Sequence, residues 1–431
     1  MREQPSIVLI GAGSSSFGLT MLHDIYSEPL LGGSTLWLVD LDLEKAERMR
    51  ALAARLEAAA GRGIDVRTTA DRCEALPGAD AVIISTEVDR LRRWLLDFEI
   101  PRRHGVQQIY GENGGPGGMS HALRTIPLVA ELALDAHRLA PDALIVNFSN
   151  PEGRVCTALR RHHPALPVIG LCHEVRKHTD RLATHLGSDS LRWRAAGLNH
   201  ITWLLEVGDT TTGEDLTPKL GDALEAMIAG NTDDDTYELV RFLHDRFGTV
   251  VATSDSHVGE YFPFAHEHVA PIDVEARQKR RSGLVETVVD HIITDADMDL
   301  EPFFAWRSDE AVLPIMRAAI TREPERIASA ILPNDGLMPA LPRGCAVEVS
   351  ATATGDGIVG DVTDDLPAPI AGVLNLEVAI QQLTSDAALT GSRDAALEAL
   401  LIDPVVASSS TAAAVLDDLE AAHAGAWPPL H

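Results

Sequence analysis

The sequence predicts an α/β protein that opens with a doubly wound parallel sheet of Rossmann type and continues as an α+β unit. Three observations carry this. Short apolar runs alternate with helical stretches from residue 6 to about residue 190. A glycine-rich turn, Gly11-Ala12-Gly13-Ser14, follows the first run and leads into a helix. Beyond about residue 190 the pattern changes, and runs such as Leu204-Leu205-Glu206-Val207 and Val347-Glu348-Val349 read as antiparallel strands. Strands that alternate with helices fold as parallel βαβ units. The predicted units are therefore 1–190 and 191–431.

Ser6-Ile7-Val8-Leu9-Ile10 is too short and too apolar for an amphipathic helix and reads as a buried strand. Residues 19–26 carry helical periodicity. Thr35-Leu36-Trp37-Leu38-Val39 is the next strand, ending at Asp40, and an Ala/Leu/Arg/Glu helix spans about 43–60. Further strands fall at 66–69, 81–85, 143–148 and 167–171. In the second unit, helices fill about 220–248, 274–294 and 368–402, and Gly355-Asp356-Gly357 marks a hairpin. The last 30 residues form an Ala-rich helical stretch with a frayed tip at Trp427-Pro428-Pro429.

The chain has 431 residues, and 45% are hydrophobic, enough to bury a sizeable core. A net charge of −28 argues against nucleic acid and anionic membranes as partners. No apolar run approaches the roughly 18 residues of a membrane span, and Met1 to Pro5 leads directly into a strand. The cysteines at 73, 156, 172 and 345 form no CxxC pair, so a reduced, cytoplasmic setting is expected.

Gly11-x-Gly13 with Gly18 is a variant of the dinucleotide fingerprint. The first glycine permits the strand-to-helix turn, and the second lets the backbone approach a pyrophosphate at the positive helix end. Asp40 ends the next strand and would accept hydrogen bonds from a ribose 2′-hydroxyl, which selects NAD over NADP. Gly11, Gly13, Ser14, Gly18 and Asp40 are the predicted cofactor contacts.

Cys172 follows the strand at 167–171, and His200 lies 28 positions later in Gly197-Leu198-Asn199-His200. Each alone reads as a buried apolar thiol or a hydrogen-bonded histidine. Together they suggest a first-row metal site with open positions, since two protein ligands are too few for a closed structural site.

These pieces, with Gly111 to Gly118, Leu123-Arg124-Thr125-Ile126-Pro127, Asn150-Pro151 and Glu260-Tyr261, resemble glycoside hydrolase family 4, the NAD- and manganese-dependent glycosidases. They occur in family order over nearly the whole chain. The resemblance implies a Rossmann domain followed by a domain like that of lactate and malate dehydrogenases, and assembly as a homodimer or homotetramer. It implies NAD and Mn2+ as cofactors, with Cys172 and His200 as metal ligands. It also implies transient oxidation at sugar C3, proton loss at C2, elimination of the C1 oxygen and addition of water. Tyr261 is then the C2 base, Asn150 and Asn199 bind substrate hydroxyls, and His173 is a candidate leaving-group acid or sugar hydrogen-bond donor. Two departures stand out: Ser149 replaces the usual Thr, and Glu112 stands where relatives often carry Asp.

The tetrad Cys172-His173-Glu174-Val175 resembles that of the α-galacturonidase group, which places Glu174 among the substrate contacts. A uronate needs a cation for its carboxylate. Arg176, Lys177, Arg154 and Arg281 are the candidates, with Arg154 foremost because it follows Asn150-Pro151. Family α-glucosidase, α-galactosidase and α-glucuronidase activities remain open alternatives, and a 2-hydroxy acid dehydrogenase is a more distant one.

Overall fold

A single sheet runs through the molecule. The computed structural model describes residues 1–232, 234–306 and 308–431. Strands β1 (Ser6–Ile10), β2 (Thr35–Val39), β3 (Asp65–Thr69), β4 (Ala81–Ile84), β5 (Leu144–Asn147) and β6 (Val168–Gly170) lie parallel in the order β3-β2-β1-β4-β5-β6. Strands β7 (Leu191–Leu198), β8 (Ile201–Asp209), β9 (Val250–Val251), β10 (Glu325–Pro333), β11 (Ala346–Thr354) and β12 (Gly357–Gly360) are antiparallel. They extend the same sheet as β10-β11-β7-β8-β9, with β12 on β11.

The halves meet where β6 pairs with β10 through Gly170 and Ile331. A Cβ on Gly170 would lie 2.8 Å from Cys156 Sγ and 2.9 Å from Ile331 Cβ, so no side chain fits at this seam. The sheet therefore does not break near residue 190.

The central parallel strands are apolar on both faces because helices cover both. Ile7, Val8 and Leu9 of β1 and all four residues of β4 are buried. The helix Leu43–Ala60 starts at Asp42, whose side chain accepts from Lys45 N. It buries Ala46, Met49, Leu52, Ala53 and Leu56, a stripe at three- and four-residue spacing.

Two of the expected helical stretches hold two helices each. The 220–248 stretch divides into Leu220–Ala229 and Glu238–Phe247 after Gly230. The 368–402 stretch divides into Ala368–Thr390 and Arg393–Ile402, because Gly391 adopts φ +74° and Ser392 caps the second helix.

The tail is not frayed. Helices Ala368–Thr390, Arg393–Ile402 and Ser409–Ala422 fold back on the first half, against Gly115–Leu139, Glu152–His162 and Arg90–Arg103. Trp427 is buried, donates to Ser120 O at 3.0 Å and stacks on His423. His423 in turn lies 2.9 Å from Asp97, which is wholly buried with its ion-pair partner Arg124. His431 exchanges backbone bonds with Gly391 and Arg393.

Removing a buried Trp leaves a cavity that costs roughly 3–5 kcal/mol. Trp427→Ala should lower the chemical denaturation midpoint accordingly, whereas a frayed tip would leave it unchanged.

Candidate active site

The carboxyl ends of β1, β4, β5 and β6 open on one crevice, where open α/β sheets place their ligands. Ser85, Asn150, Cys172 and His173 follow these ends and line a cleft of about 680 Å³. Thr86 N donates to Ser149 Oγ at 2.9 Å and clips two of the loops together.

The glycine loop forms one end of the cleft. Gly11 has φ +88°, and a Cβ there would lie 1.9 Å from Ser85 O. Ser14 caps the helix Ser15–Ser27, accepting from Phe17 N, and no acidic side chain occupies its first turn. That terminus suits an anion. Gly18 packs against Ala12 O and Met49. Asp40 does more than end β2, for its carboxylate accepts from Gly13 N at 2.8 Å and Asp42 N at 2.9 Å. Each oxygen keeps a lone pair for a ribose hydroxyl.

Cys172 and His200 do meet. Residues 199 and 200 form the two-residue turn of the β7–β8 hairpin, and His200 adopts φ +67°, a conformation few non-glycine residues take. The turn brings His200 Nε2 to 3.6 Å from Cys172 Sγ. Zinc–sulfur and zinc–nitrogen bonds of about 2.3 and 2.1 Å at a tetrahedral angle span about the same distance. A thiol–imidazole hydrogen bond also fits it.

Burial holds His200 neutral by lowering its pKa to about 4, and its Nδ1 is buried without a hydrogen-bond partner among the described residues. Burial, then Glu348, Glu152 and Glu174, pushes the Cys172 thiol well up. A cation between the two would relieve this, so the residues fit a metal.

Tyr261 lies beneath the same turn, buried, with its hydroxyl 3.5 Å from Asn199 O. Burial, then Glu377 and Glu260, pushes the phenol well above its ordinary value. Asn150 faces the cleft and donates to Glu112 Oε1 at 3.4 Å. Asn199 does not face the cleft. Its amide is buried 3.5 Å from Glu348, which also accepts from Thr202 and Ser329, so it orders the turn.

Arg154 is a correction. Its helix turns it away from the cleft, and its guanidinium is 1% exposed. It is satisfied by Asn113 O, Thr384 Oγ1 and Glu377. Among the described residues the cleft cations are Arg90, Lys177 and Arg281. Arg90 pairs with Glu87 and Glu112. Lys177 lies 2.8 Å from Asp235 and 3.5 Å from Glu174. Arg277 also pairs with Asp235, while Arg281, half exposed, is 3.8 Å from it.

Glu174 is buried and accepts from Thr253 Oγ1 at 2.9 Å. Burial opposes its ionisation, but Lys177, His178, His257 and His173 hold it well below the usual carboxylate range. His173 is half exposed on the cleft wall between Glu174 at 3.5 Å and Glu310 at 3.6 Å.

Sequence reading missed His257 and Glu310. His257 lines the cleft, and its ring lies 4.3 Å from that of His200. His200, His257 and Glu260 bring potential ligand atoms within 4.8 Å of one another. The spacing His257-x-x-Glu260 was the available signal. Glu310 carries no local motif.

The sequence matches the model of family 4 glycosyl hydrolases over residues 6–188 and that of the family's C-terminal domain over 195–406. This chain belongs to glycosyl hydrolase family 4. It is 34% identical to an α-glucosidase of Erwinia rhapontici over 93% of each chain. It is 27% identical to an α-galacturonidase of Thermoanaerobacter italicus over 94% of this chain and 92% of that one. A 6-phospho-α-glucosidase from gut microorganisms, solved with NAD and Mn2+, shares the fold at a TM-score of 0.85 and 23% identity, covering 99% of this chain and all of the other. The family 4 chain is a glycosidase.

Replacing the Cys172 thiol should uncouple the two ends of the cleft. Cys172→Ser is expected to weaken Mn2+ binding, followed by calorimetry, at least tenfold, while NAD affinity stays within about twofold. Parallel loss of both would contradict this assignment.

Proposed function

We propose that this glycosidase is NAD- and Mn2+-dependent and cleaves α-galacturonides. The charge cluster at the cleft carries the substrate reading. Lys177, Arg277 and Arg281 gather at the carboxylates Glu174 and Asp235 and place three cations side by side. Lys177 and Arg281 line the cleft. Arg281 makes the loosest pair of the three and can receive a carboxylate through two parallel N–H donors. The tetrad Cys172-His173-Glu174-Val175 supports the same reading, because Glu174 anchors Lys177 in that cluster.

The glycine loop and Asp40 would hold NAD, and Cys172 and His200 would hold the metal. When bound, NAD supplies a hydride acceptor and donor, and Mn2+ supplies the positive charge that acidifies neighbouring sugar C–H and phenol O–H groups. The chain's own residues do the rest. Asn150 offers its amide to sugar hydroxyls from the end of β5. Tyr261, beneath the His200 turn, removes the proton next to the oxidised carbon. His173, on the wall beside Cys172, donates to the departing oxygen.

One observation favours a neutral sugar instead: the α-glucosidase is the more similar of the two relatives, at 34% against 27% identity. Turnover of 4-nitrophenyl α-galacturonide, α-glucuronide, α-galactoside and α-glucoside with NAD and Mn2+ decides between them. The galacturonide should react fastest, with no net NADH. Arg281→Ala should raise KM for the galacturonide about tenfold or more and leave neutral substrates unchanged. A preference for the glucoside would discard the uronate and keep the glycosidase.

A further inference from the structure

One carboxyl in the cleft has no part in the chemistry above. Glu310 lies in the loop between the helices Glu301–Ala305 and Val312–Thr321 and lines the cleft. Its side chain is 11% exposed. Oε1 is 3.6 Å from His173 Nδ1, and Oε2 is buried without a hydrogen-bond partner among the described residues. Several groups bear on it: His173 and Arg176 from the Glu174–Ala183 segment, Asp24 from Ser15–Ser27, Asp309 beside it, and Glu152 from Glu152–His162. Burial raises its pKa to about 7, Asp24 and Asp309 add to the rise, and His173 and Arg176 oppose it.

Such a carboxyl is poorly satisfied as a structural element. A surface loop carries no need to bury it, and a half-paired buried acid beside a cleft is a mark of function. Among the described residues its one close partner on the cleft wall is His173. The other nitrogen of that ring faces Glu174, which is already engaged by Lys177 and Thr253. Glu310 is therefore the carboxyl with acceptor capacity left to hold the ring.

We propose that Glu310 is a positioning residue for departure of the aglycone, holding His173 through Nδ1 so that the opposite edge of the ring turns toward the glycosidic oxygen. This rests on the glycosidase reading with His173 beside that oxygen. The protons balance within one turnover. As the C1–O bond breaks, the departing oxygen takes a proton from the His173 ring. As water adds at C1, it returns one to the same ring. Glu310 begins and ends the cycle unchanged, and its contribution is the orientation of the imidazole.

The leaving group tests this. Glu310→Gln, Glu310→Ala and the parent enzyme, each with NAD and Mn2+, are compared on two α-glycosides of the sugar that the parent cleaves. One carries methoxide, which needs a proton to depart, and the other carries 2,4-dinitrophenolate, which does not. For Glu310→Ala, kcat on the methyl glycoside should fall about ten- to a hundredfold with KM unchanged. Glu310→Gln, which keeps an acceptor oxygen for Nδ1, should lose less, and the dinitrophenyl glycoside should change by no more than about twofold in either variant. NAD affinity reports that each variant is folded, and Glu310→Asp replaces any that is not. Equal losses on both substrates, or no loss on either, would overturn the role of Glu310 while leaving the glycosidase intact. A parent inert on every glycoside removes the glycosidase reading and this proposal with it.

Discussion

Everything at the cleft depends on how closely β6 can approach β10. Gly170 admits no side chain there, because Glu152, Cys156 and Ile331 already fill the space. That approach joins a parallel sheet to an antiparallel one without a gap. Two residues after Gly170 the chain delivers Cys172, and the β10-β11-β7 pairing carries the β7–β8 hairpin to the same place. The thiol and the imidazole come from units with different strand directions, and a shared sheet fixes their separation. The left-handed conformation of His200 is the local strain accepted at that junction.

The cleft has two electrical halves. Around Cys172 and Tyr261 lie the buried carboxyls Glu152, Glu260 and Glu348, and burial raises the pKa of each. Those carboxyls, with the Cys172 thiol and the Tyr261 phenol, favour a cation in that half. Around Asp235 the cations Lys177, Arg277 and Arg281 are interleaved with Glu174, Asp234 and Asp235. A chain of net charge −28 thus still gathers three cations beside its cleft. Whole-chain charge speaks to solubility and to polyanionic partners, and says little about a site only a few residues across.

Strands, the glycine loop and the Cys172–His200 pair were legible in the sequence because each is written locally, in periodicity, spacing or turn chemistry. The helix breaks at 230 and 391 were marked by glycines inside otherwise continuous helical patterns. Arg154 misled because its environment is set by residues more than 220 positions away, Thr384 and Glu377. No local pattern tells whether a helical arginine faces a cleft or another helix. Glu310 was invisible for the same reason, since its meaning lies in its distance from His173. The tail read as frayed because Trp427-Pro428-Pro429 has no periodicity, yet its indole finds Ser120 across the fold.

That last contact bears on the order in which the protein can be made. The helix Gly115–Leu139 belongs to the first half by sequence, but the helices that cover it are the final ones in the chain. A ribosome that has finished the parallel strands has produced a sheet with one flank bare. The apolar side chains of that flank stay open to solvent until the helices Ala368–Thr390 and Arg393–Ile402 arrive to cover them. A nascent chain of this kind invites a chaperone late in synthesis, and a chain that stops before these helices are made would leave that flank bare.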